Sequence, residues 1–142
     1  MAQDDATAVS KGPHGATTMV AVSVRVLIVD DQPAFRQLAR EVLHQRGYTV
    51  VGEAACSASA IDRALRLEPD AVLLDVRLGR DSGFEVAWAL RRACPRAAVL
   101  LVSSLDYGRC RERMRVSGVT GFVLKSRLAS VDLGDYWPAP VV

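Results

Sequence analysis

Four apolar runs in this chain end on residues that can do chemistry. Asp30 and Asp31 follow Val26-Leu27-Ile28-Val29, Asp75 follows Ala71-Val72-Leu73-Leu74, Ser103 and Ser104 follow Leu100-Leu101-Val102, and Lys125 follows Phe122-Val123-Leu124. Short apolar runs without polar alternation mark strands covered on both faces, as in a parallel sheet. The carboxyl ends of such strands share one edge, and ligands of open α/β sheets gather there. Three carboxylates meeting at that edge repel one another and raise some of their pKa values unless a cation intervenes. A hard divalent ion such as Mg²⁺ fits, because it takes oxygen ligands through one or two carboxylates and keeps several waters. A lysine and a hydroxyl beside the same point can hold a transferred oxyanion, one as a point charge and the other as a hydrogen-bond donor. The chemistry is phosphoryl transfer to a carboxylate, with Asp75 as nucleophile.

Taken singly, each residue has a plainer reading. Asp75 can cap the next helix, Asp30 and Asp31 the helix that starts near Pro33, and Ser103 the fourth helix, while Lys125 can be an ordinary surface lysine. The cluster dissolves only if all four plainer readings hold at successive strand ends.

The elements that must carry these residues alternate. Ser23 to Val29 is read as the first strand and Tyr48 to Ala54 as the second. The third runs through Ala71-Val72-Leu73-Leu74-Asp75-Val76-Arg77-Leu78 and breaks at the loop Gly79 to Gly83. Ala97 to Val102 is the fourth and Thr120 to Leu124 the fifth. Between them, Phe35, Leu38, Ala39, Val42 and Leu43 recur at helical spacing after Pro33, and Gly47 closes that helix. Ile61, Ala64, Leu65 and Leu67 stripe a second helix, with Ser57 and Ser59 as its expected caps and Pro69 as its stop. Phe84 to Ala93 forms a third, ended at Cys94-Pro95, and Tyr107 to Val116 a polar fourth, closed by Gly118. Five strands alternating with helices predict an α/β fold, a doubly wound five-stranded parallel sheet.

Length and composition agree. The 142 residues suffice for one domain with a real core; half are hydrophobic and 6% aromatic. A formal charge of +2, from 18 basic and 16 acidic residues, is too slight to argue for nucleic acid. Arg109, Arg111, Arg113 and Arg115 are read as a solvated helix face. Cys56, Cys94 and Cys110 are odd in number and lack metal-ligand spacing, which fits reduced thiols in a cytoplasm. No stretch reaches the length of a membrane span. Residues 1–22 are small, polar and punctuated by Gly and Pro, and are expected to be a disordered leader, with His14 a solvated side chain.

The combined pattern resembles a receiver domain of bacterial two-component response regulators. The resemblance covers about Val24 to Leu133. It is carried by Val29-Asp30-Asp31, by Leu74-Asp75-Val76-Arg77-Leu78 with Ser82-Gly83-Phe84-Glu85, by Leu101-Val102-Ser103 and by Gly121-Phe122-Val123-Leu124-Lys125. It is also similar, through Val51-Gly52-Glu53-Ala54, to the receivers of the class with helix-turn-helix outputs. The resemblance implies a flavodoxin-like fold and a division into a leader at 1–22, a receiver at 23–133 and a short tail at 134–142. It implies that Asp75 is the phosphoacceptor and that Asp30 and Asp31 position Mg²⁺ together with Asp75 and the backbone carbonyl of Arg77. It further implies that Ser103 is the switch hydroxyl, Phe122 the aromatic rotamer switch and Lys125 the lysine that binds the phosphoryl oxygen.

Three positions depart from the family pattern. Gly79 and Ser126 stand where proline is common. The last segment, Leu128 to Leu133, has room for only a turn or two of helix before Gly134, Pro138 and Pro140, so a short or degenerate fifth helix is expected. The partners implied are a sensor histidine kinase or phosphotransfer protein and a downstream protein reached by contact. No membrane is implied, and no nucleic acid by this chain alone; dimerisation stays open. The alternative is the receiver portion of a longer DNA-binding regulator. A hydrolase built on the same acids would need a further acid or base, and His44 lies in the first helix, away from the strand ends. The expectation is therefore a substrate and switch with only self-phosphorylation and slow hydrolysis of its own.

Overall fold

A computed structural model describes residues 23–138; the leader expected over 1–22 lies outside the described residues. In chain order the elements are β1 (Arg25–Val29), α1 (Pro33–Gln45), β2 (Thr49–Ala54), α2 (Ser57–Leu67), β3 (Ala71–Asp75), β4 (Arg77–Leu78), β5 (Asp81–Ser82), α3 (Gly83–Ala93), β6 (Ala98–Ser103), α4 (Arg111–Ser117) and β7 (Gly121–Leu124). Five of the strands make a parallel sheet in the order β2-β1-β3-β6-β7. This is the flavodoxin-like, doubly wound arrangement.

Strand alternation divides the core in two. Leu27, Val29, Val72, Leu74, Val99 and Leu101 face α2 and α3, where Ala60, Ala64, Ala87 and Leu90 meet them. Val26, Ile28, Leu73, Leu100 and Val102 face the other way, onto Phe35, Ala39, Val42 and Leu43 of α1. Both faces of β3 are covered, so all five of its residues are buried, Asp75 included. α1 begins with Pro33 in its first turn and ends before Gly47 at φ +88°. α2 is capped by Cys56, and Ser59 reaches back to the Cys56 backbone N–H at 3.4 Å; Ser57 is not the cap. Ser82 caps α3 by accepting the Phe84 N–H at 3.2 Å.

Two local expectations are corrected, and the short or degenerate fifth helix is borne out. The third strand ends at Asp75 and does not run on to Leu78; Arg77–Leu78 instead pairs antiparallel with Asp81–Ser82 in a small hairpin. Gly79 sits at its turn with φ +62°, a conformation closed to the proline common at this position. The fourth helix starts at Arg111, not at Tyr107, because the Gly108 N–H bonds to Asp106 Oδ1 at 2.7 Å and holds a turn in place of a helical start. Where a fifth helix would lie there are two 3₁₀ turns, Lys125–Arg127 and Leu133–Asp135.

Packing runs past Leu133. Leu128, Leu133 and Trp137 are buried against the α1 face of the sheet, and the Trp137 ring meets Tyr48 edge-on at 5.3 Å. Tyr136 covers Gly121 of the edge strand so closely that a Cβ there would stand 2.5 Å from its ring. Arg46, just after α1, donates to the carbonyls of Ala129 and Val131. Irregular chain thus does the covering that a helix would do. Trp137→Ala should therefore lower stability by about 3–5 kcal/mol in urea unfolding. Trp137→Phe should cost less, since the buried indole N–H has no partner among the described residues.

Candidate functional site

The parallel sheet sets the site, because each strand delivers its polar residue to the same edge. Val29 pairs with Leu74, Asp75 with Val102 and Ser103 with Leu124, so Asp30, Asp75, Ser103 and Lys125 come off adjacent strands at one level. Asp30 is fully buried, and Asp75 and Ser103 are nearly so. One carboxylate oxygen from each of Asp30, Asp31 and Asp75 lies within 4.8 Å of the others. The cleft above them, about 310 Å³, is lined by Asp31, Asp75, Arg77, Ser103 and Lys125, with Gln32 and Leu105 at its margin.

Lys125 is the hub. Its ammonium lies 2.7 Å from Asp30 Oδ2, 3.3 Å from Asp75 Oδ2 and 3.2 Å from Gln32 Oε1, above the Phe35 ring at 4.4 Å. Asp30 Oδ1 accepts the Gln32 N–H at 2.8 Å, and Asp75 Oδ1 accepts the Arg77 N–H at 3.3 Å. Exposed Asp31 accepts the Gly79 N–H at 3.2 Å, which ties the hairpin turn to the acid pair. Behind them, Arg36 of α1 donates to the Asp30 carbonyl at 2.7 Å and pairs with Glu53 of β2 at 2.9 Å. Ser103 Oγ accepts the Leu105 N–H at 3.1 Å, which leaves its own proton free to donate.

Phe122 is not part of this cluster. Its ring packs edge-on against Tyr107 at 6.2 Å, and Tyr107 against Phe84 at 6.3 Å, on the α3 side of the sheet. Sequence reasoning missed Gln32, Phe35 and Arg36 as the residues that hold Lys125 and Asp30. A glutamine directly after a strand-end acid pair was the available signal for the first. It also missed Gly83, where a Cβ would stand 2.7 Å from Val76 Cα and closer still to the Asp75 carbonyl oxygen. A side chain there would push α3 off the strand end that carries Asp75.

The cluster is short of positive charge. Three carboxylates share one ammonium, and Asp30 Oδ2, although ion-paired with Lys125, has no aligned hydrogen bond despite full burial. An all-oxygen donor set with an under-satisfied buried oxygen fits a hard divalent cation. Burial, and then the charge of Asp30, push the Asp75 carboxyl above the ordinary carboxylate range, against the pull of Lys125. A carboxyl raised in the folded state contributes stability that is complete below its unfolded pKa and is lost as pH rises through the raised value. In metal-free buffer, Asp75→Asn should therefore be more stable than wild type at neutral pH by an amount on the order of 1 kcal/mol. Urea unfolding should show that gap closing as pH falls toward about 4, where both carboxyl states become neutral.

The comparisons agree with this geometry. A family model described as the response regulator receiver domain matches residues 26–131. The nitrate/nitrite response regulator protein NarP of Escherichia coli (strain K12) is 37% identical over 106 residues, which is 74% of this chain and 49% of that protein. The chain spans about half the length of such curated relatives, or less. Among solved structures, the signal receiver domain of NarL from Mycobacterium tuberculosis superposes with a TM-score of 0.68 at 33% identity, covering 75% of this chain and 90% of that one. A LuxR-family two-component response regulator from Aurantimonas sp. SI85-9A1 gives 0.69 at 29% identity, over 74% and 76%. With four strand ends delivering the acid, hydroxyl and lysine residues to one edge and the receiver model matching residues 26–131, this chain belongs to the response regulator receiver domain family.

Proposed function

We propose that the chain takes a phosphoryl group from a phosphohistidine onto Asp75. The observation that carries this reading is the single corner shared by Asp30, Asp31, Asp75 and Lys125. An Asp75 carboxylate oxygen bonds to phosphorus while the phosphorus–nitrogen bond breaks, and the imidazole leaves with the electron pair. Lys125 stands within reach of one phosphoryl oxygen, and the free Ser103 proton is available to another. Asp30, Asp31, Asp75 and the Arg77 carbonyl would hold Mg²⁺, which supplies positive charge against the carboxylates and the incoming phosphoryl oxygens.

The group then acts by population shift: contacts to Ser103 and Lys125 favour one of two arrangements of the strand ends, with Phe122 repacking as Ser103 moves. The partners are a sensor histidine kinase or phosphotransfer protein on one side and a protein that reads the loaded state on the other. The compartment this requires is the cytoplasm. Beyond accepting and slowly losing the group, the chain performs no catalysis in this reading. A second reading places the receiver beside a DNA-binding output domain; it is favoured by relatives named as transcriptional regulators, of whose length the chain spans about half.

Incubation with acetyl phosphate and Mg²⁺, followed by intact mass measurement, tests the proposal. One phosphoryl adduct is expected in wild type, none in Asp75→Asn and none without the metal. An adduct that persists in Asp75→Asn overturns the assignment. So does its absence in wild type, when beryllium fluoride also fails to perturb the site.

A further inference from the structure

An apolar concavity lies away from the acid cluster, between α3 and α4. It measures about 400 Å³ and has buried Phe84 as its floor, with Trp88 and Val116 on its walls. Trp88 is 51% exposed and Val116 61%, although both are large and apolar. Large apolar side chains left open around one concavity mark an interaction surface more often than scattered single ones do.

The rim is cationic. Arg92 lies 4.8 Å from the Trp88 ring centroid and Arg113 4.3 Å from that of Phe84. Arg113 is further fixed by donating to Ser82 Oγ at 3.2 Å. Among the described residues no carboxylate pairs with either arginine, whereas Glu112 on the same rim is already engaged by Arg115. Glu85 is the one unpaired carboxylate in the lining, and it is outnumbered by Arg113 in the lining and Arg92 stacked on the Trp88 wall beside it. Guanidinium groups stacked on aromatic rings present their N–H edges outward, ready for carboxylates. Arginine and tryptophan are also the side chains over-represented at energetic centres of protein interfaces.

We infer that the α3–α4 groove docks an acidic amphipathic segment of a partner protein. One large apolar side chain of that segment fills the space between Trp88 and Val116, and flanking carboxylates meet Arg92 and Arg113. The apolar floor favours a protein segment over a nucleic acid, whose backbone would leave it uncovered. The inference is independent of the phosphoryl chemistry, since no residue of the acid cluster lines the groove.

Trp88 supplies its own reporter, because the only other tryptophan, Trp137, is buried and shielded from quencher. The probe is a synthetic helix with a Leu/Phe stripe flanked by glutamates, compared with the same stripe flanked by lysines. Saturable protection of Trp88 from acrylamide is expected with the glutamate helix alone. Val116→Ser and Arg92→Glu, both at exposed positions, should each weaken binding by about tenfold; far-ultraviolet circular dichroism checks that each variant is folded. Equal binding of the lysine helix, or no protection of Trp88, overturns the inference. Unchanged affinity in folded variants, or better protection by a single-stranded oligonucleotide, overturns it as well.

Discussion

Everything in this fold answers to one electrostatic problem: three carboxylates held within reach of one another at a largely buried corner. Their mutual repulsion and desolvation work against folding, and removing a charge from water costs several kcal/mol before any pairing offsets it. The chain meets this with a single ammonium. Lys125 reaches Asp30 and Asp75 because β7 lies beside β6 and β6 beside β3, so strand order and charge compensation are the same requirement. Gln32, Phe35 and the Arg36–Glu53 pair hold the ammonium and the Asp30 backbone from the α1 side. The residual deficit of positive charge suits the corner to a hard divalent cation.

The sheet and the strand-end residues were legible because their signals are one-dimensional. Apolar runs of strand length, each ended by a polar residue, determine both the parallel sheet and the edge where Asp75 sits. What the sequence hid depends on contacts distant along the chain. Gln32 and Phe35 gain their meaning from Lys125, ninety or more positions away, and no spacing rule links them. The β4–β5 hairpin hid behind residues that also read as loop, and the antiparallel pairing with the positive φ at Gly79 distinguishes the two. The late start of α4 follows from an Asp106 side chain that competes with the helix for a backbone N–H. Trp137 lies among Gly and Pro, where helical periodicity ends, yet it packs as firmly as a helix residue would. Phe122 was expected to act with Ser103; its ring packs against Tyr107 on the α3 side of the sheet, outside the acid cluster.

That placement gives the molecule two chemically distinct sides. Over α1 the core closes with Leu128, Leu133 and Trp137, carried by 3₁₀ turns that Arg46 fastens to the helix. On the other side an edge-to-face series, Phe122 to Tyr107 to Phe84, runs from the β7 strand to the first turn of α3. Gly83 sets that same turn directly against the Asp75 backbone. The strand that carries Asp75 and the helix that carries Trp88 are therefore in direct backbone contact.

Gly79 bears on how such a loop changes over generations. Its left-handed φ makes the tight turn, and its N–H holds Asp31. Proline can supply neither: its ring fixes φ near −65° and it has no N–H to give. A lineage with this hairpin reaches a proline loop only by reshaping the turn and finding Asp31 a new donor in the same interval. Proline at position 79 would lose both at once, so the two loop types differ in turn shape and in the donor to Asp31 together.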